Sequence, residues 1–408
     1  MNCRGCAAPL SLPLIDLGTS PPSNAYVHAD RLEQAEQWVP LKVAVCQECW
    51  LVQTEDYTSA DSLFDAEYAY FSSFSSTWLA HAERYVAEMV ERFGLTADSR
   101  VVEVAANDGY LLQYVAGRGI QCLGVEPTRS TAQAAREKGL EIRELFFGRD
   151  TAAQLKSEGW AADLMAANNV LAHVPDINDF LGGFAKLLKP TGVATFEFPQ
   201  LLTLMAGAQF DTLYHEHYSY LSLTAVQTLC ERNGLEVFDV SQLTTHGGSL
   251  RVFVQRKDGE RRVVQPAVQQ QLQAELDAGV KTTGYYATLA PAAERIKHDL
   301  LRFLLQAKAD GKRVVGYGAA AKGNTLLNYA GVKPDLLAWV ADANPHKQGK
   351  FMPGSRIPIV APAQIDIEKP DYVLVLPWNL LHEVSQQLAQ VREWDGRFVI
   401  AVPELSVL

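Results

Sequence analysis

The sequence predicts an α/β protein with a small metal-stapled N-terminal domain followed by two Rossmann-like blocks. Three observations lead there. Short apolar runs alternate with helical segments from residue 100 onward, and the alternation starts afresh at residue 313. Two Cys-x-x-Cys pairs lie in an N-terminal stretch otherwise rich in turn signals. Strand–helix alternation means a parallel sheet covered on both faces. A chain of 408 residues exceeds one ordinary core. Domain boundaries are expected at 1–75, 76–258 and 259–408, the last combining a helical connector with the second α/β block.

Residues 1–75 read as irregular, with a turn at Ser20-Pro21-Pro22-Ser23-Asn24. Such a segment buries little core and profits from a staple. Cys3, Cys6, Cys46 and Cys49 fit a tetrahedral thiolate zinc site, which is coordinatively closed and therefore structural. The N-terminus has no apolar leader, so a cytoplasmic location is expected, where disulfides are disfavoured. Trp78, Tyr85, Met89 and Phe93 mark a helix over 77–93. Strands follow at 101–104, 121–126, 162–166 and 192–198, then a terminal antiparallel pair at 235–240 and 250–254. Residues 258–309 read as a helical connector. Strands of the second block are expected at 313–318, 336–340, 372–376 and 398–401.

Charge and hydropathy exclude whole classes. Acidic side chains outnumber basic ones, 47 to 36, leaving −11 with neutral histidines and no global field for nucleic acid. A local basic pocket for one phosphorylated metabolite remains allowed. No run approaches the roughly 20 apolar residues of a membrane span.

Candidate chemistry clusters at strand ends, where open α/β sheets bind ligands. The loop Glu103-Val104-Ala105-Ala106-Asn107-Asp108-Gly109 lacks the Gly-x-Gly-x-x-Gly pattern of a dinucleotide site. An acidic start and small residues suit S-adenosylmethionine in a Rossmann-like methyltransferase. Glu126, closing the second strand, is placed for two ribose hydroxyls, and Asn168-Asn169 for the adenine or methionine end. Any one of these alone could merely cap a helix. Tyr214-His215-Glu216-His217-Tyr218-Ser219-Tyr220 packs six ionisable side chains into seven residues, a density suited to proton transfer near neutrality. His173 should approach the same cleft. Gly316-Tyr317-Gly318-Ala319-Ala320-Ala321-Lys322-Gly323-Asn324 can cradle a phosphate at a helix N-terminus. Asp342-Ala343-Asn344-Pro345-His346-Lys347 adds basic groups at the next strand end.

These blocks, with His246-Gly247-Gly248-Ser249-Leu250-Arg251 and Leu376-Pro377-Trp378-Asn379, run through essentially the whole chain. Together they resemble the S-adenosylmethionine-dependent C-methyltransferases of nucleotide-linked ketodeoxysugars. The resemblance implies a zinc-binding domain, a central methyl-donor domain and a C-terminal Rossmann-like domain, with the sugar nucleotide between domains. It implies methylation of carbon 3 beside a 4-keto group, through α-proton abstraction, an enolate and in-line methyl transfer. His217 is then the general base, oriented by Glu216 or Tyr214, with His173 stabilising the enolate. Glu103, Asn107, Asp108, Gly109, Glu126, Asn168, Asn169 and one of Tyr68 and Tyr70 are expected on the cofactor. Tyr218, Lys322, Asn324, His346 and Lys347 are expected on the sugar nucleotide. Ala105 stands where many relatives carry Gly and is tolerated if its φ is negative; Phe71 stands where some carry His. A nicotinamide-dependent oxidoreductase is disfavoured by the missing fingerprint and by the lack of an acidic ribose partner. The ionisable loop argues against a non-enzymatic zinc-ribbon module. Three domains closing one cleft require no partner, so a monomer is expected.

Overall fold

A computed structural model describes residues 1–55 and 71–408. The N-terminal segment is not irregular. β1 (Leu12–Ser20), β2 (Val39–Val45) and β3 (Val52–Thr54) form an antiparallel sheet in the order β1-β2-β3-β9. Its last strand, β9 (Ser219–Tyr220), comes from the ionisable loop of the central block. The alternation of β1 is hidden because its pairing with β2 shifts register twice, between Pro13 and Ile15 and between Asp16 and Thr19. Leu14, Ile15 and Leu17 all turn inward despite the broken period.

The central sheet contains β4 (Arg100–Val104), β5 (Gln121–Val125), β6 (Ile142–Arg143), β7 (Ala162–Asn168), β8 (Leu188–Pro199), β10 (Leu235–Leu243) and β11 (Ser249–Arg256). Their order is β10-β11-β8-β7-β4-β5-β6. The strands from β4 to β8 pair in parallel, while β11 runs antiparallel to both neighbours. Chain direction therefore switches sides at β4, between β5 and β7, which opens a crevice at their carboxyl ends. The helix Ser76–Phe93 buries Tyr85, Val86 and Met89 against this sheet.

Two longer helices, Pro266–Ala278 and Leu289–Ala309, lead to the second block. Glu275 of the first caps another helix, Leu223–Arg232, accepting the N–H groups of Leu223 at 2.7 Å and Thr224 at 2.8 Å. The block itself holds β12 (Val314–Tyr317), β13 (Val340–Ala341), β14 (Ile359–Val360), β15 (Tyr372–Val375), β16 (Arg397–Ile400) and β17 (Ser406–Val407). Their order is β14-β13-β12-β15-β16-β17, parallel except for β17. The strand expected at 336–340 shrinks to β13, because Leu336 and Leu337 are drawn into a turn on the Lys333 carbonyl. One core joins Leu14, Leu17 and Leu41 of the first sheet to Leu300 and Leu304 of the connector and Leu326 and Val340 of the second block. Among the described residues no helix is long and apolar enough to cross a membrane.

Candidate functional site

The four paired cysteines come together, their Sγ atoms all within 4.8 Å of one another. Zinc–sulfur bonds of about 2.3 Å in a tetrahedron separate sulfurs by about 3.8 Å, so the set fits zinc. Each pair forms the same knuckle. Ala7 and Trp50, just after the second cysteines, take φ of 64° and 58° and donate their N–H to the carbonyls of Cys3 and Cys46 at 2.8 Å. Gln53 Nε2 and Gly5 N–H lie 3.2 and 3.3 Å from Cys3 Sγ, donors that steady a thiolate ligand. The Cys49 thiol holds Cys3 down to about 4, against the effect of burial.

The crevice at β4 and β7 is lined by buried polar atoms that find no hydrogen-bond partner among the described residues. Both carboxylate oxygens of Glu103, both amide atoms of Asn168 and Asn169 Oδ1 lack a hydrogen-bond partner among the described residues. Burial pushes the Glu103 carboxyl well above the usual range. Buried groups of this kind are normally satisfied, so the cluster marks a ligand pocket. Its donors and acceptors suit an ammonium and ribose hydroxyls, as S-adenosylmethionine carries. Glu126 is held in place: Oε2 accepts Asn107 N–H and Oε1 accepts Thr128 N–H, both at 2.9 Å. The Asn107 and Asp108 side chains accept the N–H groups of Ser72 and Ser73, at 2.9 and 3.2 Å. They pin the turn Ser72–Phe74 beside the crevice. Gly109 has φ 75°, and a Cβ there would lie 2.2 Å from Leu140 Cδ1, so only glycine fits. Ala105 has φ 57°, so the condition of a negative φ is not met; its N–H is tied to the Val125 carbonyl at 2.8 Å, which keeps the loop in this shape. Tyr68 and Tyr70 lie outside the described residues.

The ionisable loop brings His217 and His173 edge to face, 4.5 Å between ring centroids. His217 Nδ1 lies 3.1 Å from the Thr212 carbonyl and His173 Nδ1 lies 2.8 Å from the Glu216 carbonyl. A carbonyl only accepts, so each ring carries its proton on Nδ1 and presents Nε2 as its basic atom. The Tyr214 ring packs on His217 at 4.0 Å. Burial lowers His173 to about 4, so it is neutral at pH 7.

Glu216 does not orient His217 with its carboxylate. Its Oε1 accepts both the N–H and the Nδ2 of Asn24 at 3.1 Å, and its Oε2 lacks a partner among the described residues. Burial raises this carboxyl too. His215 donates to the Val39 and Pro40 carbonyls at 3.2 Å and anchors β2. Tyr218 turns to the N-terminal domain, its ring 5.1 Å below the Arg4 guanidinium.

From the second block, Asn324 Nδ2 donates to the Ser23 carbonyl at 2.7 Å, and Thr325 Oγ1 to the Leu213 carbonyl at 2.9 Å. The segment Ser23-Asn24 is thus wedged between the ionisable loop and the helix Ala321–Ala330. Lys322 Nζ reaches Asn379 Oδ1 at 2.7 Å, and burial lowers its ammonium. Lys347 donates to the Ala319 carbonyl at 2.8 Å, whereas His346 stacks on Phe71 and Phe74. The second block also carries an acid at a strand end. Asp342 follows β13 and accepts Ala319 N–H at 2.7 Å and Asn344 N–H at 2.8 Å. That is the bonding pattern of Glu126. Sequence reading also missed the buried ion pair of Glu197 with Arg251, 2.9 Å, joined by His81. Burial alone would raise Glu197; His81 and Arg251 reverse it.

Comparison with known proteins covers the chain in three parts. Residues 3–64 match a zinc binding domain, 78–240 a methyltransferase domain and 244–403 the C-methyltransferase C-terminal domain. C-methyltransferase NovU from Streptomyces niveus is 35% identical over 407 residues, spanning 100% of this chain and 96% of NovU. A ubiquinone biosynthesis O-methyltransferase from Rhodopseudomonas palustris is 30% identical over 97 residues, 24% of this chain and 38% of that protein. Magnesium protoporphyrin IX methyltransferase from Synechocystis, solved with bound SAM, overlaps 44% of this chain and 79% of its own at 16% identity and a TM-score of 0.34. Matched end to end by NovU and domain by domain by all three models, the chain belongs to the S-adenosylmethionine-dependent C-methyltransferase family.

Proposed function

We propose that this C-methyltransferase acts on a nucleotide-linked 4-keto-deoxysugar, at the carbon beside the ketone. The observation that carries the reading is the pair of histidines packed edge to face, each with Nδ1 on a backbone carbonyl, in a loop gripped by all three domains. A ketone acidifies its neighbouring C–H, and a neutral imidazole is matched to remove that proton near pH 7. His217 Nε2 takes the α-proton, and the C–H electron pair moves onto the ketone oxygen as an enolate. The Thr212 carbonyl, not Glu216, holds the ring in the required tautomer.

The tautomer of His173 redirects its role. With its Nδ1 proton committed to the Glu216 carbonyl, a neutral His173 has none at Nε2 to donate to an enolate oxygen. It accepts instead, from a sugar hydroxyl. The Tyr214 hydroxyl becomes the donor for the enolate. S-adenosylmethionine, when bound, supplies an electrophilic methyl on a sulfonium centre. Glu103, Asn168, Asn169 and Glu126 would hold it. The nucleotide is assigned to the second block, supported by Asp342, whose bonding repeats that of Glu126, and by Lys322 and Asn324 on the adjacent helix.

Mass spectrometry tests the reading directly. Incubating the zinc-loaded protein with S-adenosylmethionine and a panel of dTDP-, CDP- and GDP-linked 4-ketosugars should add one methyl to at least one of them. Methylation of none, or only of sugars lacking the ketone, would overturn it.

A further inference from the structure

The histidine loop is gripped by the second block at two points, and one is a buried carboxylate that the chemistry above does not use. Asp211 lies in the short turn Phe210–Thr212 and is fully buried. Its Oδ2 accepts the indole N–H of Trp378 at 2.8 Å, and its Oδ1 has no partner among the described residues. Trp378 lies just past β15. Its ring carries the Lys322 ammonium, 4.6 Å from the centroid. The indole has little slack, because a Cβ on Gly247 would come within 2.7 Å of it. Burial raises the Asp211 carboxyl to about 6, with Lys322 and the indole bond opposing the rise. Two residues on, the Leu213 carbonyl accepts Thr325 Oγ1. Thr212 sits between these anchors, and its carbonyl receives the Nδ1 proton of His217.

We infer that Asp211 is a positioning residue: clamped by Trp378, it fixes the Thr212 carbonyl and through it the tautomer and aim of His217. The second block then orients the base as well as walling the cleft. The catalytic consequence rests on the reading of His217 as base; the clamp itself does not.

The test compares the zinc-loaded full chain with Asp211→Ala, Asp211→Asn and Trp378→Phe. Imidazole ¹⁵N spectra report the His217 tautomer, assigned by difference against His217→Asn. Calorimetry reports S-adenosylhomocysteine affinity, and kcat and KM are read with a dTDP-linked 4-keto-6-deoxyhexose. Wild type should show His217 protonated at Nδ1. Asp211→Ala and Trp378→Phe should mix the tautomers and lower kcat by about tenfold or more, the scale of a small misplacement of a reacting group. KM and cofactor affinity should stay within about twofold of wild type in both variants. Asp211→Asn keeps an acceptor for the indole and should restore most of both signals. A wild-type tautomer in Asp211→Ala, or in Trp378→Phe should the first not fold, would overturn the clamp. A shifted tautomer with unchanged kcat would instead overturn His217 as base, and with it the positioning role.

Discussion

Ala105 holds a left-handed backbone with a methyl side chain, at φ 57°. That conformation costs an L-residue about 1–2 kcal/mol, of which glycine's extra unfolded-state entropy returns about 0.5–1. Ala105→Gly should therefore raise stability by about 0.5–1 kcal/mol, seen as a higher urea midpoint at an unchanged slope. The two strand-end carboxylates make a crossed pair of predictions. Glu126→Gln should weaken S-adenosylhomocysteine by about tenfold and leave dTDP binding alone, while Asp342→Asn should do the reverse, because a bond to a charged acceptor is worth about 1.5–3 kcal/mol. Calorimetry with each ligand decides, and loss of both affinities in either variant would show only a damaged fold. The positions of Glu103, Glu126 and Asn168 can be read locally, because each lies in or at the end of a short apolar run. Asn24 and Asp211 cannot be read so, since their partners Glu216 and Trp378 lie 192 and 167 positions away. A short Asx-bearing turn and a lone acid carry no local sign of such bonds. The tautomer of His173 depends on which ring nitrogen a distant carbonyl claims, which no residue pattern reveals.

At the scale of elements, strands built on short apolar runs, such as β4, β5 and β7, fall where the sequence places them. β1 escapes because register shifts scramble its period, and β13 is shorter than its run of apolar residues because a turn takes half of them. β9 is two residues long and lies in a loop chosen for its chemistry, so nothing announced that it would complete the N-terminal sheet. That strand makes the zinc centre mechanically relevant. The Cys46–Cys49 knuckle joins β2 to β3, and β3 pairs with β9 through Val52 and Tyr220. Cys46→Ser should cut zinc affinity by at least about a hundredfold, as losing a ligand exceeds the 10–100-fold of an outer partner. Chelator competition measures that. Turnover should fall through the loosened loop while S-adenosylhomocysteine affinity persists; full turnover in zinc-free protein would contradict this.

Across the whole molecule, two Rossmann-like blocks face one loop, each carrying a strand-end carboxylate that accepts N–H groups from its own ligand loop and from two residues downstream. The N-terminal sheet and the long connector share a core with the second block, which fixes that block against the histidines. On the reading proposed above, the methyl donor would lie on one side and the nucleotide on the other, with the sugar ring between them at His217. Proton removal by that ring is the central claim. The most direct measurement is NMR of a dTDP-linked 4-keto-6-deoxyhexose in heavy water, with S-adenosylhomocysteine bound so that no methyl can be transferred. Wild type should wash deuterium into the carbon beside the ketone, and His217→Asn should slow this by about 10²–10⁴, the usual worth of an aligned base. Exchange at the wild-type rate in His217→Asn, or none in wild type with both ligands bound, would contradict it.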